Sequence, residues 1–292
     1  MAEITALLET RAFLVGRFRC PPVDRRWTSL NWIGTHHLLA FPRRAVVIER
    51  SRHRRVVANA NHVVLYDPDE TYRRELLAPE GDDSLFIDVR PDAASLLVPV
   101  RPSGDHSFRR IEAPVPDRVV LRLHELELRL DGDRSGLDPL AVDELLGAIV
   151  ASLAVAEDRD RQPRPTTAGV ERRRLVEETQ AYLSTGYAES LTLPEIGRVV
   201  GASPFHLART FRRATGSTLH GYRERLRLRE GLRRLRDGES DLAALALELG
   251  FSSHSHFDDR FRNAFGVAPS AERLGGGSKR ARFRKSRTDI AT

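Results

Sequence analysis

Two stretches of the chain repeat one pattern of apolar and polar positions, about fifty residues apart. The first, from Leu191, reads LTLPEIGRVVGASPFHLARTFRRATG, and the second, from Asp241, reads DLAALALELGFSSHSHFDDRFRNAFG. Each predicts a short apolar helix ending at a glycine (Gly201, Gly250) and a serine that opens a second helix. Each second helix carries large apolar residues four apart, and a glycine closes it (Gly216, Gly266). Thr192 and Glu195 have the spacing of a capping box. Ser203 before Pro204 is an N-cap followed by proline at the first helical position. Leu207 and Phe211 in the first copy, and Phe257, Phe261 and Phe265 in the second, put one face of each second helix into a core. The opposite face is left for another partner. Helix, tight turn and second helix form the helix-turn-helix pattern, whose second helix lies in a DNA major groove.

Between the copies, LHGYRERLRLREGLRRLR predicts one helix with Tyr222, Leu226, Leu232 and Leu235 as its stripe and arginines over most of the rest. Eighteen residues of helix are ~27 Å long. That length suits a rigid spacer between two helices entering successive major grooves ~34 Å apart. The other reading is a solvated basic connector.

Residues 170–273 resemble the DNA-binding domain of the AraC/XylS family of bacterial transcription regulators. The resemblance rests on Glu195-Ile196-Gly197, Val200-Gly201 and Ser203, and on the GYRERLRLREGLRRL linker. It rests equally on Leu245-Ala246, Gly250-Phe251-Ser252, Phe257, Phe261, Phe265-Gly266-Val267 and Pro269. It implies a regulator that binds double-stranded DNA, works with RNA polymerase and carries a sensing or dimerising front half.

Carried over residue by residue, the resemblance puts Phe205, Ala208 and Arg209 of the first recognition helix against bases. Arg209 would pair with guanine, and Phe205 and Ala208 would meet a thymine methyl. The second helix would present His254, Ser255, Asp258 and Asp259. Arg212, Arg213, Arg260 and Arg262 would meet phosphates, which position without specifying. Asp259 stands where relatives carry arginine, and Glu272 where they carry an aromatic residue.

The front half predicts an α+β arrangement. Strands are expected between about Arg26 and Asp92, at residues 44–49, 55–59, 63–66 and 85–89. The run Val63-Val64-Leu65-Tyr66-Asp67-Pro68 followed by Tyr72 resembles the closing strand and turn of the family's cupin-like β-barrel. Such a barrel encloses a small-molecule effector or is filled by its own side chains. Residues 118–130 fit a helix, with alternation keeping a strand in competition. A further helix opens at Pro139 and runs to Glu157. It is apolar around much of its circumference, so it either supplies a homodimer interface or packs within its own domain.

The expected domains are therefore 1–157 for sensing and dimerisation, 158–169 as a charged, proline-bearing linker, 170–274 as the double reader, and 275–292 as a basic disordered tail.

Charge sharpens this division. The 292 residues carry a net charge of +6. From Val170 onward there are 23 basic against 15 acidic residues, and before it 24 against 26. The excess cations, which displace counterions from phosphates, lie in the reading half. One cysteine, Cys20, excludes an internal disulfide and a cysteine-built zinc site. No run is long enough to span a bilayer, and the N-terminus lacks a secretory signal, so a cytoplasmic, nucleoid-associated protein with no membrane partner is expected.

A metal-dependent cupin-type enzyme fused to a DNA-binding domain is the alternative. It would need metal ligands, but His36 and His37 are adjacent and on a strand point to opposite faces. His53, His62, His106 and His124 show no ligand spacing. No catalytic residue, metal or cofactor is assigned. A third reading is a regulator controlled by a protein partner.

Overall fold

A computed structural model describes residues 1–50, 54–100, 104, 106–108, 110–131, 137–155 and 167–272. Of the expected linker 158–169, residues 158–166 lie outside these residues, as do the tail and His53, while Thr167 to Gly169 begin a helix.

The front half holds β1 (Glu3–Glu9), β2 (Phe13–Cys20), β3 (Asn31–Trp32), β4 (His37–Pro42), β5 (Val46–Arg50), β6 (Arg54–Ala58), β7 (His62–Tyr66), β8 (Thr71–Leu76), β9 (Asp82–Val89) and β10 (Glu112–Pro114). Three helices accompany them, α1 (Pro91–Leu97), α2 (Asp117–Asp131) and α3 (Pro139–Val155). The strands form a six-stranded sheet, β1-β2-β9-β4-β7-β10, and a four-stranded one, β3-β8-β5-β6. The expected cupin-like unit is thus two antiparallel sheets in a jelly-roll-like arrangement, not one closed ladder.

Period-two alternation assigns the faces. Val63 and Leu65 of β7 join Leu39 and Phe41 of β4 in the core that also holds α1, α2 and α3. Val64 and Tyr66 point the other way, toward Val46, Ile48, Val56 and Tyr72 of the second sheet. That inner space is filled by side chains. The Arg74 guanidinium lies over the Phe18, Trp27 and Tyr72 rings and bonds to Asp82 at 2.9 Å. Arg50 pairs with Glu70 and donates to the Leu65 carbonyl at 2.7 Å. Of the two readings of the interior, the self-filled one describes these residues.

Strands begin earlier than expected. β1 and β2 precede Arg26 because Arg17 and Arg19 interrupt an otherwise alternating FLVGRFRC, which hides the strand from a hydrophobic-run reading. Residues 117–131 are helical. Val119, Leu123, Leu126 and Leu130 are buried on one face, so period 3.6 overrides the local alternation. In α3, Val142, Leu145, Leu146, Ile149, Val150 and Leu153 are buried in the front half's own core. The apolar surplus that suggested a homodimer is therefore used within the chain, and Leu140 is its large apolar residue left exposed.

The back half is helical: α4 (Thr167–Thr185), α5 (Leu193–Val199), α6 (Pro204–Thr215), α7 (Leu219–Arg236), α8 (Leu242–Glu248) and α9 (His254–Phe265). Two separate cores form on the two ends of α7. One gathers Leu175, Leu183, Ile196, Leu207, Phe211 and Tyr222, and the other Leu232, Leu235, Leu245, Phe257, Phe261 and Phe265.

Candidate nucleic-acid interface

Caps start each reading helix where the sequence predicts. Thr192 and Glu195 close a capping box on α5, and Ser203 accepts from the His206 amide at the start of α6. Ser253 accepts from the His256 amide on α9. Gly216 and Gly266 end the two recognition helices in the left-handed conformation, which glycine adopts at no steric cost. The turn within the first unit is tight, since a Cβ on Gly197 would meet the Ala202 carbonyl at 2.6 Å.

The outward faces match the periodicity. On α6, Leu207 and Phe211 are fully buried while Phe205, Arg209, Arg212 and Arg213 are exposed and Ala208 is half-buried. Phe205 is 91% exposed and stands on this outward face. On α9, Phe257 and Phe261 are buried, and His254, Ser255, Asp259 and Arg262 are exposed.

Two of the expected phosphate-contacting cations are already engaged. Arg260 donates to Glu224 of α7 at 2.7 and 2.9 Å, and Arg262 pairs with Asp258 one turn earlier at 2.8 Å. One cation of the second helix is thus held by α7 and the other by an acid of its own helix. Among the described residues, Arg209, Arg212 and Arg213 of the first helix form no such pair.

The linker helix is not a solvated connector: it is one continuous helix between the two units and is also clamped to the front half. Arg229 reaches the carbonyls of Ala60 and Val115 and the Asp117 carboxylate. Arg236 pairs at 2.9 Å with Glu127 of α2, a carboxylate that also holds Arg17 and Arg43. Tyr222 belongs to the first unit's core, yet its hydroxyl accepts from Asn59 at 2.7 Å, and its carbonyl accepts from Asn61 at 2.9 Å. Asn59 also donates to Ser184 of α4. Beside this network, burial first, and then Arg229 and Arg225, push His62 down to about 3, so it is neutral. The second unit makes its own contact, with Glu272 buried and 3.5 Å from His124 of α2. The acid that replaces the usual aromatic residue is thus placed against the front half.

A cavity of about 80 Å³ lies along this seam, between Phe41, Leu123 and Leu232, with Arg43, Glu127 and Arg229 at its polar side. Its volume is well short of the ~300 Å³ of an ordinary small-molecule pocket.

Sequence reading missed Glu127, Glu224, Arg229 and Arg236. One signal was present: Tyr222, Arg229, Leu232 and Arg236 share a helical face at spacings of seven, three and four. Arginines inside an apolar stripe mark a buried polar contact.

The front-half histidines diverge. His36 pairs with Asp88 at 2.9 Å, while the other side of the strand takes His37, bonded to the His106 carbonyl. Among the described residues no group of three His, Cys, Asp or Glu could hold a metal ion, and no helix is long and apolar enough to cross a membrane.

Two capped helix-turn-helix units, each presenting an exposed helix face and joined by one helix, define a DNA-binding protein. Comparison with known proteins agrees. A family model described as a helix-turn-helix domain matches residues 196–274. The chain is 24% identical over 203 residues to the HTH-type transcriptional regulator YbfI of Bacillus subtilis, covering 68% of this chain and 70% of that one. It is 29% identical over 143 residues to the transcriptional activator RhaS of Pectobacterium carotovorum, where the match spans about half of each, 48% and 51%. Residues 196–274 thus form a helix-turn-helix domain of the AraC type, similar to those of these transcription regulators. Crystal structures of ToxT from Vibrio cholerae align over 90% of this chain and 95% of theirs, but at a TM-score of 0.36 and 11% identity, which is too low to carry a structural argument.

Proposed function

We propose that the chain is a sequence-specific transcription regulator whose two recognition helices enter successive major grooves from one side of the duplex. The observation that carries this reading is the pair of exposed faces on α6 and α9, held by buried faces of the same spacing and joined by α7. In this reading Phe205, Ala208 and Arg209 read bases, and Arg212 and Arg213 hold phosphates. His254, Ser255, Asp258 and Asp259 form the second reading face. Arg260 and Arg262 reach phosphates once DNA draws them from Glu224 and Asp258. The two units pull unequally, and the first supplies most of the affinity.

The front half, residues 1–157, regulates by gripping α7 and both units, with residues 158–169 as the covalent link. A small-molecule effector would act at that seam, which has to widen to admit one. A homodimer through α3 would use its outward side, Leu140 included. The two relatives described above are named as transcription regulators, and RhaS among them as an activator. This supports a regulatory, non-enzymatic, cytoplasmic role in which the DNA-bound chain meets RNA polymerase.

Selection of bound sequences from random duplex by the full chain tests the reading. A site with two blocks of preference about one helical turn apart is expected. A single block, or none, would contradict it.

A further inference from the structure

The two reading units have separate cores, so packing within each does not by itself fix how far apart or at what angle their recognition helices stand. The boundary falls in the middle of α7, where Leu226 belongs to the first core and Leu228 to the second. Arg227 sits between them and is half-buried. Its guanidinium donates through Nε to the Tyr187 carbonyl at 2.6 Å and through Nη2 to those of Glu189 at 3.1 Å and Ala188 at 3.4 Å. Those three residues form the loop from α4 into the first unit. Through Nη1 it donates to the Gly250 carbonyl at 2.7 Å, inside the turn of the second unit. One planar fork thus holds main-chain oxygens of both units at once.

The two segments it joins also touch each other. Gly250 has a φ of +81°, and a Cβ there would meet the Ala188 carbonyl at 2.2 Å and Arg227 Nη2 at 2.7 Å. Tyr187 packs against both cores, and the Arg227 guanidinium lies 5.8 Å from the Phe251 ring centroid. Burial, followed by the nearby Arg223, lowers Arg227 to about 10, so it remains charged at neutral pH. Its acceptors are carbonyls and do not titrate. A lysine there would offer one point charge in place of a fork with five donors.

We propose that Arg227 is the positioning residue of the double reader, fixing the separation of the two recognition helices before DNA arrives. Four of the five N–H donors of this guanidinium are used on the joint. The inference rests on the two-unit reading of DNA given above. Pre-organised units let the second binding step follow the first without a further ordering cost, provided that the spacing on the duplex matches.

The test uses the full chain and three kinds of duplex: the selected two-block site, a duplex with only the first unit's block, and two-block sites with two base pairs inserted or removed between the blocks. Wild type is expected to lose tenfold or more on the altered spacings. Arg227→Ala is expected to bind the single block as wild type does, to lose about tenfold on the intact site, and to discriminate little among spacings. Arg227→Lys keeps the charge and the stem, and Gly250→Ala disturbs the same joint from its other side. Both are expected to flatten the spacing dependence in the same way, which covers the case in which alanine unfolds the domain. Arg227 variants that keep the wild-type spacing dependence overturn the proposal. So does an equal loss on single-block and two-block duplexes, which would mark Arg227 as a direct DNA contact or a support of the first unit alone. A wild type indifferent to spacing overturns the two-unit reading itself, and this assignment with it.

Discussion

Glu127 of α2 and Arg236 of the linker helix meet at 2.9 Å, with both side chains about 95% buried. One carboxylate from the front half is shared by Arg236 from the reading half and by Arg17 and Arg43 from its own half. The front half and the helix that joins the two readers are therefore tied by a buried ionic contact.

Removing that carboxylate leaves the three guanidiniums their second partners alone, Asp237 for Arg236, Asp131 for Arg17 and Asp83 for Arg43. Breaking a buried pair costs about 3–5 kcal/mol when a charge is left uncompensated, and these second partners put the expected loss at the lower end of that range. Glu127→Gln is expected to lower the urea midpoint by a corresponding amount. Burial alone would raise the Glu127 pKa, but Arg43, Arg236 and Arg17 outweigh it and hold the carboxyl below its ordinary value. This stabilisation is thus full above the ordinary carboxylate range and is lost as pH falls through the lower folded value. An unchanged midpoint in Glu127→Gln would remove the contact from the account.

Glu112 of β10 should act in the opposite sense. Burial first, then Glu177 of α4, raises it to about 7, with Arg110 and Arg173 opposing, and its Oε2 accepts no hydrogen bond from the described residues. A raised carboxyl contributes stability that is complete below the unfolded value and is lost as pH rises through about 7. The front half should hold α4 less firmly at pH 8 than at pH 6. Glu112→Gln should remove that difference and stabilise the protein at pH 8 by at most about 3 kcal/mol. Denaturation curves at the two pH values for both proteins decide it, and an undiminished pH difference in the variant would count against Glu112.

Arg209 and Arg213 occupy the same helix and should behave differently on DNA. Arg209→Ala should relax preference at one base pair at a cost of ~1–3 kcal/mol. Arg213→Ala should weaken binding to all sequences alike and reduce the salt slope by about one. Titrations of specific and random duplex at several salt concentrations separate the two. Equal losses on both duplexes from Arg209→Ala would remove it from base reading.

Asp259 is exposed on the second recognition helix beside Asp258, which is already paired with Arg262. Asp259→Arg replaces an acid facing a polyanion with a cation. It is expected to raise affinity for specific and random duplex together and so narrow the ratio between them. A fall in specific binding would instead show that Asp259 accepts from a cytosine amino group.

The reading half was legible because its signals are local. Thr192, Ser203 and Ser253 cap, Gly216 and Gly266 stop, and phenylalanines four apart fix the buried face, all within one or two turns of helix. The front half was less so. β2 carries Arg17 and Arg19 on a strand paired with β1 on one side and on the other with β9, from Phe13 opposite Val89 to Cys20 opposite Asp82, and strand identity depends on such partners more than on composition. The contact between halves was hidden for a different reason. An arginine on a helix looks the same whether it faces water or a carboxylate more than 100 residues earlier, as Arg236 faces Glu127. Only its position among Tyr222 and Leu232 distinguished the two cases.

The central claim is that one chain holds two readers on one side of a duplex. Hydroxyl-radical footprinting of the full chain on its selected site tests it most directly. Two protected patches on the same face, about 10 base pairs apart, are predicted. One patch, or protection on opposite faces, would contradict it.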